Sequence, residues 1–289
     1  MRILITGSAG KIGKELIKVL HEHELLLVDK KDSENGSVKC NLATDDLEFI
    51  KKFEPEVVVH LAASFERTDE TRQFHGTNWE DNILASYRLN RLIGELGIAP
   101  KQYVFASSYL VYDPMLYLSD FPLKVPTELS ECHELNPRNL IGASKLYIEK
   151  EIDYLQRNFH PNMKVCHARI FRVYGEGGQE FVSRVIEWKK MGIPVDIWKP
   201  ENRFDFIHTS DCASAIKAMI DKGLNGPYNV GYGVATSIKQ ILDIVKPEIR
   251  RVHVEDKYEW SVAYTWAMEE DAGWAPKVNL LNWIEEKMK

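Results

Sequence analysis

The chain has 289 residues, 44% of them apolar and 28% charged, proportions that support a sizeable folded core and exclude a disordered or collagen-like chain. A formal net charge of −6 argues against nucleic acid or an anionic membrane as the main partner, and no apolar run is long enough to span a bilayer. The four cysteines, Cys40, Cys132, Cys166 and Cys212, lack CxxC or metal-ligand spacing, and the first residues enter a strand pattern with no signal peptide before it. A reduced, cytoplasmic compartment and no metal are therefore expected.

Arg2-Ile3-Leu4-Ile5-Thr6 reads as a short buried strand, followed at once by Gly7-Ser8-Ala9-Gly10-Lys11-Ile12-Gly13 and by a helix over Lys14–Leu20. Leu25-Leu26-Leu27-Val28 is a second strand, and it ends in Asp29. This order is that of a dinucleotide-binding βαβ unit. Gly7 permits the tight turn, Gly10 lets the backbone approach a pyrophosphate, and Gly13 lets the helix pack on the strand. The free N–H groups of the helix start, from the loop through Ala9, Lys11 and Ile12, face the anion. Asp29 is placed to accept hydrogen bonds from an adenosine ribose and would repel the extra phosphate of NADP, so NAD is the expected cofactor. Lys30 and Lys31 follow directly and soften that repulsion.

After a polar stretch from Lys31 to Gly36, Val38–Leu42 leads to a helix over Asp45–Phe53. Glu56-Val57-Val58-Val59-His60 has the unbroken apolar character of a central parallel strand, and His60 reads as a histidine satisfied by its neighbours. Apolar periodicity predicts a long helix from Asn78 to Leu96, with Gly97 at its end. Gln102–Ser108 is another buried strand that finishes in hydroxyls at the end where such sheets bind ligands. Strands alternating with helices predict a Rossmann-type doubly wound parallel sheet of the α/β class, carrying a smaller C-terminal α/β substrate lobe.

Thr6–Gly13, Asp29, His60-Leu61-Ala62-Ala63, Ala106-Ser107-Ser108 with Val111-Tyr112, and Gly142-Ala143-Ser144-Lys145 together resemble the extended short-chain dehydrogenase/reductases, the NAD-dependent nucleotide-sugar epimerase and dehydratase family. Arg169–Gly175, Asp205-Phe206-Ile207-His208 with Asp211, Tyr228–Gly231 and Gly273–Pro276 match later landmarks of that family in order. The resemblance adds Lys30, Asn41, Leu42, Leu61, Ala62, Ala63 and Lys145 to the cofactor-binding set. It also implies a strand-end hydroxyl at Ser108, which faces substrate, and a catalytic lysine at Lys145. The family's tyrosine, four residues before that lysine on one helix face, is Ile141 here.

Isoleucine exchanges no proton. Tyr109 and Tyr112 flank the strand end and are the first candidates to replace the phenol, ahead of Tyr117, Cys132 and His133; bound substrate supplying the group and a chain that holds NAD without turnover are the other readings. The resemblance also implies a homodimer through helix Ile141–Arg157 and the helix near Asn82, although packing on the sheet explains the same apolar face.

The cofactor domain is expected to span residues 1–171 with 205–222 returning to it, and the substrate lobe residues 172–204 and 223–289. Two family positions in the lobe are altered: an Asn that contacts the nucleotide diphosphate is Arg172, and an Arg is Phe204, with Arg203 one residue earlier. Arg172 and Arg203 are thus the candidate substrate contacts, since guanidinium pairs well with phosphate. The function implied is an NAD-dependent epimerase or oxidoreductase acting on a nucleotide-sugar. Tyr109-Leu110 replaces the acidic pair of the dehydratases, which disfavours dehydration. A dehydrogenase of a free sugar or uronic acid and a catalytically silent NAD-binding sensor are the rivals.

Overall fold

The computed structural model describes residues 1–32, 34–65, 70–95, 97–178, 180–254 and 257–289. The first half runs β1 (Arg2–Thr6), α1 (Lys11–Val19), β2 (Glu24–Asp29), β3 (Val38–Lys39), α2 (Glu48–Phe53), β4 (Val57–His60), α3 (Arg72–Asn78), a π turn (Trp79–Leu84), α4 (Ala85–Gly94) and β5 (Gln102–Ser108). Two short strands follow, β6 (Leu118–Ser119) and β7 (Thr127–Leu129), before α5 (Leu140–Asn158), β8 (Lys164–Ile170) and β9 (Arg172–Tyr174). The chain continues through α6 (Phe181–Met191), β10 (Val195–Trp198), β11 (Arg203–His208), α7 (Thr209–Lys222), β12 (Gly226–Val230) and β13 (Ala235–Ser237). It ends with α8 (Ile238–Val245), β14 (Ile249–His253), β15 (Tyr258–Ala263), α9 (Trp266–Ala272) and α10 (Leu280–Met288).

Seven strands form one parallel sheet in the order β12-β8-β5-β4-β1-β2-β3. Because side chains alternate across a strand, the consecutive valines of β4 serve both faces. Val57 and Val59 join Leu16 of α1 and Ile216 of α7 on one side, while Val58 joins Ile50 of α2, Leu89 of α4 and Ile148 of α5 on the other. The order reverses between β1 and β4, which opens a crevice at their carboxyl ends. The smaller lobe is built on β13-β11-β15-β6, with β7 beside β15 and β9 beside β11. Val182, Val185, Ile238, Ile241, Leu280 and Ile284 fill its core.

Three expectations from the sequence are corrected. Gly226–Val230 is not part of the lobe: β12 pairs parallel with Cys166–Ile170 of β8 as an edge of the large sheet, reached through α7 as a crossover helix. Met268 and Trp274 pack into the same core, so α9 also belongs with the large sheet. Asp205–His208, in contrast, lies in the lobe sheet as part of β11, although Ile207 and the following α7 both pack into the core of the cofactor domain. The helix expected over Asn78–Leu96 begins earlier, at Arg72, where the Thr71 side chain accepts from the Phe74 N–H. Its polar first turn has no apolar period to reveal it; Leu96 lies outside the described residues.

Helix α5 is seated by a buried charge pair. Arg169 of β8 donates to both oxygens of Glu149 at 3.1 and 2.9 Å, and the Ser107 hydroxyl of β5 adds a bond of 2.5 Å. Burial pushes the Glu149 carboxyl up, but the Arg169 and Ser107 hydrogen bonds outweigh it and hold it below its ordinary value. Removing one partner strands the other charge in the interior. Arg169→Met should therefore destabilise the fold by about 3 kcal/mol in urea denaturation, and the double variant Arg169→Met/Glu149→Gln should recover part of that loss.

Candidate active site

At the crevice, β1 passes into α1 with almost no room for side chains. Gly7 has φ +72°, and a Cβ on it would lie 2.7 Å from the Ala62 nitrogen. A Cβ on Gly13 would lie 2.6 Å from the Gly7 carbonyl oxygen. Gly10 is the N-cap of α1 and supplies no side-chain acceptor, so the first-turn N–H groups of Lys11, Ile12 and Gly13 are left for a bound anion. Backbone this close to the crevice, with an open helix start, fits the pyrophosphate of a dinucleotide. Asp29 stands at the end of β2, where its carboxylate accepts from the Ala9 N–H at 3.0 Å and the Lys31 N–H at 2.9 Å. It thereby holds the loop and presents its remaining lone pairs to a ribose. Lys30 turns away to pair with Asp81, so it does not offset the Asp29 charge.

Other expected cofactor contacts are distributed unevenly. Leu61 and Ala62 are half-buried beside β1, with their N–H groups on the Thr6 carbonyl and hydroxyl, and Ala63 is exposed at the rim. Asn41 closes a turn by accepting from the Ala43 N–H, whereas the Leu42 side chain is buried in the core and its carbonyl accepts from Arg88. Lys11 reaches across to Glu180 at 2.6 Å, just before α6, and joins the glycine loop to the lobe. His60 is fully buried between Thr6 at 2.6 Å and Ser86 at 2.8 Å, with its pKa lowered by burial to about 3. It is a neutral core histidine.

At the other end of the crevice, Ser108 finishes β5 and its hydroxyl accepts from the Leu110 N–H at 3.2 Å. Lys145 on α5 is buried, with Nζ 4.7 Å from the centre of the Phe105 ring. Among the described residues no hydrogen-bond acceptor meets that ammonium. Burial pushes its pKa down to about 8, and the charge of Glu149 only partly opposes this. Ile141, one turn earlier, is buried too, and its N–H is taken by Glu70 at 3.1 Å.

Both tyrosines expected beside the strand end are buried, and their hydroxyls are engaged by other residues. The chain after Ser108 curls into a tight turn over Tyr109–Val111 and carries both rings inward, to a cluster with Tyr117, Leu129 and Phe171. Tyr112 is fully buried, donating to Asn229 at 2.7 Å, and burial raises its pKa. Tyr109 stacks on Phe171 with ring centres 5.0 Å apart, and burial pushes it up to about 12. Phenols so held remain protonated near neutral pH. Arg172 and Arg203 are separated: Arg172 lies over the Phe204 ring at 3.9 Å and 3.5 Å from Glu259, while Arg203 lies over Trp260 at 5.0 Å. Glu259, Arg138, Glu180 and Asp81 went unmarked in the sequence, because each finds its partner far along the chain and carries no motif.

A glycine-lined dinucleotide crevice that leads to a strand-end serine and a buried helix lysine defines a Rossmann-fold nicotinamide enzyme. The chain belongs to the NAD dependent epimerase/dehydratase family, whose model matches residues 3–231, and NAD is its cofactor. A putative UDP-glucose 4-epimerase of Methanocaldococcus jannaschii is 27% identical over 98% of each chain. The dTDP-4-dehydro-6-deoxyglucose reductase of Escherichia coli is 26% identical over 86% of this chain and 82% of its own. The UDP-glucose 4-epimerase of Thermus thermophilus, solved with NAD, shares the fold with a TM-score of 0.82, 22% identity and coverage of 100% of this chain and 98% of its own.

Gly13→Val places its side chain against the Gly7 and Ser8 backbone and should weaken NAD binding at least a hundredfold, about 2.7 kcal/mol or more, as measured by isothermal titration calorimetry. Retained affinity would mean that the cofactor enters elsewhere.

Proposed function

We propose that the protein exchanges hydride between NAD and a ring carbon of a nucleotide-activated sugar, as an epimerase or an oxidoreductase, with Lys145 as the proton acceptor in place of the missing phenol. The observation that carries this reading is the buried Lys145 amine, met by no hydrogen-bond acceptor among the described residues and lying over Phe105 of β5, the strand that finishes in Ser108. The two relatives named for sugar-nucleotide epimerisation and reduction support the substrate class. Bound NAD supplies the hydride acceptor. Ser108 has its oxygen on the Leu110 N–H and keeps its own proton to donate to a sugar oxygen. Glu149 is engaged by Arg169 and Ser107, so it does little to hold a proton on Lys145. A free amine at this position takes the hydroxyl proton as the carbon is oxidised.

The sign of the pH dependence follows. Lys145 is an ammonium below about 8 and an amine above it, so oxidation of UDP-glucose should rise as the pH passes about 8 and then level. Lys145→Met should lower the rate at least a hundredfold and abolish the step; Lys145→Arg should do the same, because guanidinium stays protonated. Sugar conversion followed by nuclear magnetic resonance, with NADH absorbance for net redox change, reads both outcomes. A rate that survives in Lys145→Met would sink the assignment.

The exposed tyrosines Tyr87 of α4 and Tyr147 and Tyr154 of α5 lie on the outer surface of these helices, opposite the Ile148, Ile152 and Leu155 stripe that packs inward. They support a homodimer built on α4 and α5. Light scattering should give twice the chain mass, and Tyr147→Glu/Tyr154→Glu should give the monomer with NAD affinity intact.

A further inference from the structure

Where the two lobes meet, a charge cluster is built around Glu259 of β15. Arg138, just before α5, donates to Glu259 Oε2 at 2.6 Å, Arg172 Nη2 stands 3.5 Å from Oε1, and the Tyr109 hydroxyl lies 3.4 Å from the same oxygen. Through the Tyr109 hydroxyl the cluster is tied to the turn that directly follows Ser108 at the end of β5. The side chain of Glu259 is only 3% exposed, whereas those of Arg138 and Arg172 are 29% and 37% exposed. The anion is therefore behind and the two cations are in front. Among the described residues Arg172 Nε is buried without a hydrogen-bond partner, and its guanidinium carbon lies 3.9 Å from the centre of the Phe204 ring.

Two guanidinium groups against one carboxylate leave a single uncompensated positive charge. A neutral sugar would cover that charge without matching it, which is costly in a desolvated site. A diphosphate would bring more negative charge than the cluster can neutralise. One carboxylate balances it, and a planar carboxylate suits the guanidinium fork.

We infer that Arg138 and Arg172, oriented by Glu259, recognise a single carboxylate on the sugar ring, so that the substrate is a sugar acid. The inference rests on the sugar site proposed above and names the class of sugar it takes. A test that separates the two uses the NAD-saturated protein with UDP-glucuronic acid, UDP-glucose, free glucuronate and inorganic phosphate, each titrated by calorimetry. UDP-glucuronic acid should bind at least tenfold more tightly than UDP-glucose. Arg172→Met, which keeps the contact with Phe204, should bring the two within about threefold while NAD affinity and melting temperature stay unchanged. Arg138→Gln gives the same readout if Arg172→Met does not fold. Equal binding of acid and neutral sugars by the wild type, equal weakening of both by Arg172→Met, or phosphate binding as tightly as glucuronate would overturn the carboxylate assignment. Free glucuronate binding through Arg172 with no UDP-sugar bound would keep it and overturn the nucleotide-sugar reading. Failure of every sugar to bind would overturn both.

Discussion

Glu149 accepts hydrogen bonds from Arg169 and Ser107 in a part of the molecule that water does not reach, and the position of α5 follows from it. One turn of the same helix away, Lys145 packs over Phe105 of β5, and at its start Gly142 approaches so closely that a Cβ would lie 2.3 Å from the Leu110 carbonyl oxygen. Helix, strand end and turn are thereby locked to one another. An arginine and a glutamate are costly to bury, and a hydrophobic pair of the same volume would stabilise the helix as well or better. The charged pair instead engages both oxygens of Glu149, so the carboxylate is already hydrogen-bonded one turn away from Lys145.

The remaining lysines at the crevice have a different electrostatic setting. Lys11 and Lys30 pair with Glu180 and Asp81, and each pair joins one wall of the cofactor crevice to another element. These are partly exposed contacts, worth little to stability, and an anion entering the crevice can compete for them at small cost. Lys145 has no such partner among the described residues and sits in the interior. The same residue type is thus ion-paired and partly exposed at one end of the crevice and buried with a lowered pKa at the other.

What could be read from the sequence was what local chemistry dictates. Gly7, Gly10, Gly13 and Asp29 lie within one βαβ unit, so spacing was enough to expose the crevice, and the valines of β4 announced a strand buried on both faces. Asp205 and Gly226–Val230 were harder to place, because alternation marks a strand without saying which of two sheets receives it. The fates of Tyr109 and Tyr112 were hidden for another reason. Their position beside Ser108 suggested the site, but the turn that follows β5 rotates both rings into the aromatic cluster, and nothing in the local residues signals that rotation. Arg138 and Glu259 are separated by 121 positions and meet only once both lobes are folded.

The loss of the phenol at Ile141 and the environment of Lys145 are two sides of one arrangement. Where a tyrosine occupies that position, the neighbouring lysine must stay charged, since its field is what lowers the phenol pKa. A lysine pushed down to about 8 would be a poor partner for that task. With an apolar side chain in place of the phenol, the demand disappears. Ile141 contributes no charge or dipole that would favour the ammonium, and it adds apolar surface on the same helix face one turn before Lys145, the direction in which helical side chains lean. The substitution that removes the usual base therefore also favours the uncharged form of the amine. On the proposed reading, the proton passes to Lys145, the residue that the buried Glu149–Arg169 pair leaves unengaged.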